Sequence, residues 1–140
     1  MTFYIDSSVL LRLVLRQPDA LAEWSVVEEG VTSALTQVEC LRTLDRLRIA
    51  ERLPDQEIAM RRETVFGVLS TLSVIELGGV VLDRAAQPLP TALGTLDAIH
   101  LATAQLWRER TAAGITVATH DVALATAARS LGMPTVGVPS

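Results

Sequence analysis

The sequence predicts an α/β fold: a central parallel sheet of four to five short strands, covered by helices on both faces. Three observations carry this. Short β-prone runs alternate along the chain with longer stretches of helical periodicity, the pattern of parallel strands joined by helices. Helix-capping and helix-breaking residues fall at the junctions between them. With 140 residues and no linker, repeat or low-complexity segment, residues 1–140 are expected to form one domain with a proper core.

The elements follow in order. Phe3, Tyr4 and Ile5 are aromatic or β-branched and suit a buried first strand, and Val9, Leu10, Leu13 and Val14 then recur at helical spacing. Pro18 and Gly30 frame a second short helix over 19–29. VTSAL, from Val31, is the second strand, and Thr36 with Glu39 three residues on has the capping-box spacing of a helix reaching about Leu53. Pro54 and Asp55 restart the chain into a long helix to about Leu72, with Gly67 a weak point inside it. VIEL, from Val74, is the third strand, a short helix covers about 81–86, and PLPTALG is loop. Thr95 caps a helix from Leu96 to Arg110, ITVAT is the fourth strand, Asp121 to Leu131 a helix, and PTVGV the last strand.

Composition narrows the function. No apolar run is long enough to span a bilayer and no signal-type segment opens the chain, so a cytoplasmic protein that does not engage membranes is expected. A single cysteine, Cys40, and two histidines argue against a disulfide and against structural zinc. The hydrophobic fraction is 49% and the mean hydropathy +0.36, which calls for a generous core or for apolar surface covered by a partner. The net charge of -4 argues against a simple polyanion binder, although six of the twelve arginines fall between Arg42 and Arg62. Acids interleave with those six, so a solvated helical face with ion pairs accounts for them. There is no lysine, which removes P-loop nucleotide binding and the phosphoryl-transfer folds that neutralise a strand-end aspartyl phosphate with one.

Four acids share a context. Asp6 follows the first strand, Glu39 lies one turn into the helix after the second, Asp97 opens an otherwise apolar helix, and Asp121 follows the fourth strand. In a parallel sheet these positions face one edge, where ligands of open α/β sheets sit. Four carboxylates within a few ångströms repel unless a cation lies between them, and oxygen donors suit Mg²⁺ or Mn²⁺. Each acid also has a local explanation as a helix cap or first-turn residue, Glu39 as partner of Thr36. TLDAIHLATA, however, is apolar on nearly every side of Asp97 and His100, and four coincident caps at one sheet edge explain less than one site does.

The segments IDSSVLL, SALTQVECLR, TLDAIHLATA and VATHDVALATAA stand in the order and approximate spacing of PIN-domain proteins, and essentially the whole chain resembles a VapC-type toxin ribonuclease of a toxin–antitoxin pair. The resemblance implies a single PIN domain and a Mg²⁺- or Mn²⁺-dependent endoribonuclease that leaves a 5′-phosphate, forms a homodimer and is held inactive by a cognate antitoxin. Its catalytic, metal-binding acids fall on Asp6, Glu39, Asp97 and Asp121, and its supporting hydroxyls on Ser8 and Thr119. Many relatives carry a further acid just after the position of Asp121; here Val122 and Ala123 follow, which argues against a firmly held second metal. Arg42 and Arg46 share the helix face of Glu39 and are candidates for substrate phosphate or for ion pairs with Asp45 and neighbouring glutamates. His100 is read as a packed, hydrogen-bonded histidine, and Trp24 and Trp107 as core or interface residues. The alternative function is a catalytically weak RNA-binding or scaffold PIN domain. Leu11, Leu15, Leu21, Trp24 and Val27 are the expected apolar surface for the partner copy and the antitoxin.

Overall fold

The computed structural model describes residues 2–17, 24–25, 27–112 and 114–139. Among them, five strands form one parallel sheet: β1 (Thr2–Ile5), β2 (Glu29–Ser33), β3 (Ser73–Ile75), β4 (Ile115–Ala118) and β5 (Thr135–Val136). Six helices connect and cover them: α1 (Ser7–Val14), α2 (Ala34–Glu51), α3 (Asp55–Leu69), α4 (Gly79–Ala85), α5 (Thr95–Thr111) and α6 (Val122–Ser130). The strand order is β3-β2-β1-β4-β5. The chain therefore builds outward from β1 through β2 to β3, then returns to β4 on the opposite side. The order reverses between β1 and β4, and a parallel sheet opens a crevice there at its carboxyl edge.

Strand alternation splits the core. Tyr4, Val31 and Val117 are in register across the centre and pack with Leu101 and Ala104 of α5 and Leu124 and Ala127 of α6. Phe3, Ile5 and Ala118 pack on the other face with Val9 of α1, and half-buried Trp24 closes over them. A third apolar cluster ties α1, α2 and α3 together through Leu10, Val14, Cys40, Leu44, Val65 and Leu69. Right-handed crossovers explain this division, because connections running in opposite directions along a sheet lie on opposite faces.

Several boundaries differ from expectation. The cap of α2 is Ser33, whose Oγ accepts the Leu35 N–H at 3.0 Å, so two residues expected in the strand belong to the helix. Thr36 is buried instead, paired at 2.7 Å with Thr32, whose hydroxyl donates to the Ile5 carbonyl at 2.6 Å. α3 stops at Leu69, short of Leu72, where Ser70 and Thr71 turn their hydroxyls onto the carbonyls of Gly67 and Val68. β3 is earlier and shorter than VIEL, and α4 begins at Gly79 and not at Val81. The cap of α5 is Gly94, so Thr95 is already helical. The helix expected over 19–29 lies largely outside the described residues, and Glu29 begins β2.

Candidate active site

Asp6 leaves β1 at the point where the strand order reverses, and it is 3% exposed. Its backbone N–H continues the ladder to Ala118 at 3.0 Å. The residue occupies the cap position of α1, yet its carboxylate makes no capping bond. Asp6 Oδ2 instead accepts from Ser8 at 2.7 Å and from Thr119 at 2.8 Å. Those hydroxyls accept in turn from the backbone N–H groups of His120 (2.9 Å, to Ser8) and Asp121 (3.0 Å, to Thr119), so both protons are committed towards Asp6. A buried carboxylate oriented by two hydroxyls is a preorganised anion with its second oxygen, Oδ1, turned to the rest of the site.

Asp97 lies in the first turn of α5, half-buried, within hydrogen-bonding reach of Asp121. Burial, then the charges of Asp121 and Asp6, push its carboxyl up to about 6, against the opposing pull of His100. Asp121 has a second task. Its Oδ1 accepts the Leu124 N–H at 3.1 Å, so it also caps α6. For Asp121 the cap and the shared site are both realised.

Glu39 makes no capping box. Its Oε1 lies 2.5 Å from His100 Nε2, and the same nitrogen is 3.5 Å from Asp6 Oδ1. His100 is wholly buried, and its Nδ1 lies 2.6 Å from the Tyr4 hydroxyl. Burial pulls the imidazole pKa down, but the bond to Glu39 and the charges of Asp6, Glu39 and Asp97 outweigh it, leaving it above its ordinary value. Tyr4 stays protonated, because burial and the Asp6 charge raise its pKa well above that of a free phenol.

The four acids thus converge on one edge but sort into two groups, Asp6 with Glu39 around His100, and Asp97 with Asp121. Among the described residues no three His, Cys, Asp or Glu side chains form a ready metal cage. Electrostatics accounts for the sorting: crowded carboxylates reduce their repulsion where one is paired with a histidine and another holds its proton more tightly than usual. Arg42 and Arg46 lie apart from this cluster, on the exposed side of α2, with Arg42 on Asp45 at 3.2 Å and Arg46 on the Thr43 hydroxyl at 3.0 Å. Arg48 also engages Asp45, and Arg61 engages Glu57, so three of the six arginines of this stretch are ion-paired on the helix surface. Tyr4 is the site neighbour that local patterns do not flag; the one signal is its place two residues before Asp6, on the same face of β1.

The PIN domain family model matches residues 3–130. Ribonuclease VapC46 of Mycobacterium tuberculosis is 37% identical over 137 residues, covering 95% of each chain. Among solved structures, FitAcB from Neisseria gonorrhoeae is similar with a TM-score of 0.73 at 18% identity, covering 95% of each chain. A toxin–antitoxin complex from Klebsiella pneumoniae is similar with a TM-score of 0.64 at 20% identity, covering 98% of this chain and 95% of that one. With a parallel five-stranded sheet, acids gathered at its carboxyl edge and these likenesses along nearly its whole length, the chain belongs to the PIN-domain family and resembles its VapC members.

Proposed function

We propose that this protein is a Mg²⁺- or Mn²⁺-dependent endoribonuclease, acting as the toxin of a toxin–antitoxin pair, with residues 1–140 working as one domain. The observation that carries the reading is the gathering of Asp6, Glu39, Asp97 and Asp121 at the strand-order reversal, with Asp6 aimed by Ser8 and Thr119. The relative named a ribonuclease and the toxin–antitoxin neighbour support it.

The donor set fits a hard divalent ion: every acid offers oxygen, and Asp97, raised first by burial, is raised further by the charges of Asp121 and Asp6 beside it. Mg²⁺ keeps several waters and needs few protein ligands, so the absence of a complete cage among the described residues is compatible with it. Asp6, Glu39 and Asp97 would hold the ion directly or through water, with Asp121 an outer or second-metal ligand. Bound there, the metal supplies Lewis-acid polarisation of the phosphodiester and a coordinated water of lowered pKa. The protein's own residues prepare the place. Ser8 and Thr119 fix the Asp6 carboxylate, Asp121 lies within hydrogen-bonding reach of Asp97, and Arg46 stands on the Glu39 helix for substrate phosphate.

Within the chain, most of the apolar residues expected to meet partners are partly buried. Leu11 and Leu15 pack against the α1–α2–α3 cluster, Leu21 lies outside the described residues, and Trp24 and Val27 fold over Phe3 and Ile5. Exposed apolar side chains stand instead at Val38, Ile49, Met60 and Phe66 of α2 and α3, and at Val74, Leu77, Val80 and Leu82 around β3 and α4. We propose that the antitoxin and the partner copy each cover part of this exposed apolar surface.

The test is cleavage of RNA by the purified chain, with thermal unfolding, in Mg²⁺, Mn²⁺ or chelator. Metal-dependent cleavage and a metal-induced rise in Tm are expected. If neither appears, the nuclease reading falls and an RNA-binding or scaffold PIN domain takes its place.

Asp121→Asn should lower activity and raise the metal concentration for half-maximal rate, with a smaller effect than Asp6→Asn. Asparagine still caps α6 through the Leu124 N–H, so the loss isolates the charge. An unchanged metal requirement in this variant would remove Asp121 from the site.

A further inference from the structure

His100 belongs to no carboxylate pair of its own, yet it contacts two of the four acids. Helical spacing puts it one turn after Asp97 on α5, and strand alternation puts Tyr4 on the face of β1 that carries Asp6. The imidazole is therefore wedged between a buried phenol and the site. Nε2 faces Glu39 Oε1 at 2.5 Å and Nδ1 faces the Tyr4 oxygen at 2.6 Å, with the two rings edge to face, 5.8 Å apart at an interplanar angle of 68°.

The donor–acceptor inventory sets the direction of this chain. An ionised Glu39 only accepts, so Nε2 carries a hydrogen and donates it. The Tyr4 hydroxyl donates to Nδ1 when that nitrogen is bare and accepts from it when it is protonated, so Tyr4 satisfies the ring in either state. Glu39, by contrast, has three rotatable bonds and is 22% exposed, and its carboxylate has no other hydrogen bond among the described residues. Left alone it would lose its placement to rotamer entropy.

We propose that His100 is a positioning residue: its Nε2–H holds the Glu39 carboxylate at the mouth of the acid cluster, beside Asp6 Oδ1, and the Tyr4 hydroxyl braces the ring from behind. The proposal rests on the metal-site reading above for its consequence, although the hydrogen bond itself exists without metal. Positioning partners of metal ligands typically change metal affinity or activity by about 10–100-fold when removed.

The experiment compares wild type with His100→Gln, His100→Leu, Glu39→Gln and the double variant Glu39→Gln/His100→Leu. Mn²⁺ affinity is read from water-proton relaxation, after circular dichroism confirms folding. Glutamine places an amide donor near the position of Nε2, whereas leucine fills the space without one. His100→Leu should weaken Mn²⁺ binding by about 10–100-fold, with His100→Gln restoring most of it. In the Glu39→Gln background the same leucine should add little, because the carboxylate it would release is already gone. Equal losses from His100→Leu in both backgrounds, or Mn²⁺ affinity unaltered by it, would overturn the proposal. A second arm uses metal-free protein: the hydrogen-bonded His100 Nε2 proton should be seen by ¹⁵N-edited NMR in wild type and move upfield in Glu39→Gln. If it does not respond to Glu39, His100 does not hold that residue. Should wild type bind no Mn²⁺, the metal reading fails by itself, and the NMR arm still decides the role of His100.

Discussion

Asp97→Asn is expected to abolish cleavage and, in metal-free protein, to raise stability in a pH-dependent way. Asparagine keeps the shape of the side chain, and its amide can still donate to Asp121, so packing at the start of α5 is preserved. It offers a divalent ion only a neutral oxygen. Lewis-acid stabilisation by a bound metal is worth several kcal/mol, which converts to a loss of about 10²–10³-fold or more in rate. The stability effect has a defined sign. The Asp97 carboxyl ionises at about 6 in the folded protein against an ordinary value of 3.8, so the fold holds this proton more tightly than the unfolded chain does. Wild type is then not penalised below about pH 4, loses stability as pH rises towards 6, and carries the full penalty above it. The asparagine has no charge to bury, so the variant's advantage should be absent at the acid end and complete above about pH 6. Discounted for the partial exposure of Asp97, it should amount to about 1 kcal/mol, or roughly 2–5 °C in Tm. Added Mn²⁺ should reverse the ranking by stabilising wild type more. Wild-type cleavage by the variant, or a Tm difference that ignores pH, would remove Asp97 from the cluster.

Whether such features are legible in a sequence depends on the range of the interactions that create them. Asp6 was legible because a β-prone run, an acid and a helical period sit within a dozen residues, and because strand–helix alternation determines which sheet edge the acid reaches. Its release from capping duty was not, since one of the two donors that hold it, Thr119, is 113 residues away. The segment TSALT offers two hydroxyl residues able to cap α2, and local rules favour Thr36 through Glu39. The choice falls to Ser33 because Thr36 is buried against Thr32, in a chain of hydroxyls ending on the Ile5 carbonyl in another strand. Glu39 is likewise taken from its expected local role by a histidine 61 residues on. Arg42 has the helical spacing to join Glu39, but Asp45 is within reach on the same helix and at lower desolvation cost.

Gly137→Ala should be among the most damaging single-atom-scale changes in the chain, and it should damage the site beyond what its stability loss explains. Gly137 follows β5 with φ +104, a conformation that side chains disfavour. A Cβ there would lie 2.3 Å from the Thr119 carbonyl oxygen and 3.0 Å from its carbon. Both contacts are to backbone, so no rotamer change relieves them, and β5 or Thr119 must move. Thr119 is held to β5 by its N–H on the Val136 carbonyl at 3.0 Å, and its hydroxyl aims Asp6. Backbone strain of about 1–3 kcal/mol, with the steric conflict added, is a large share of a typical stability of about 5–15 kcal/mol. Gly30→Ala is the control. Its Cβ would meet Leu72 Cδ2 at 2.4 Å, but that atom ends a flexible, half-buried side chain that can turn away, and Gly30 has no positive φ. Overpacking there should destabilise by about 1 kcal/mol or a little more and leave the metal requirement alone. Thermal unfolding ranks the two variants, and the metal concentration for half-maximal cleavage, measured well below both Tm values, separates fold from site. Gly137→Ala should raise that concentration and Gly30→Ala should not. Equal Tm losses with an unshifted metal requirement in both would mean that Thr119 does not depend on Gly137 to reach Asp6.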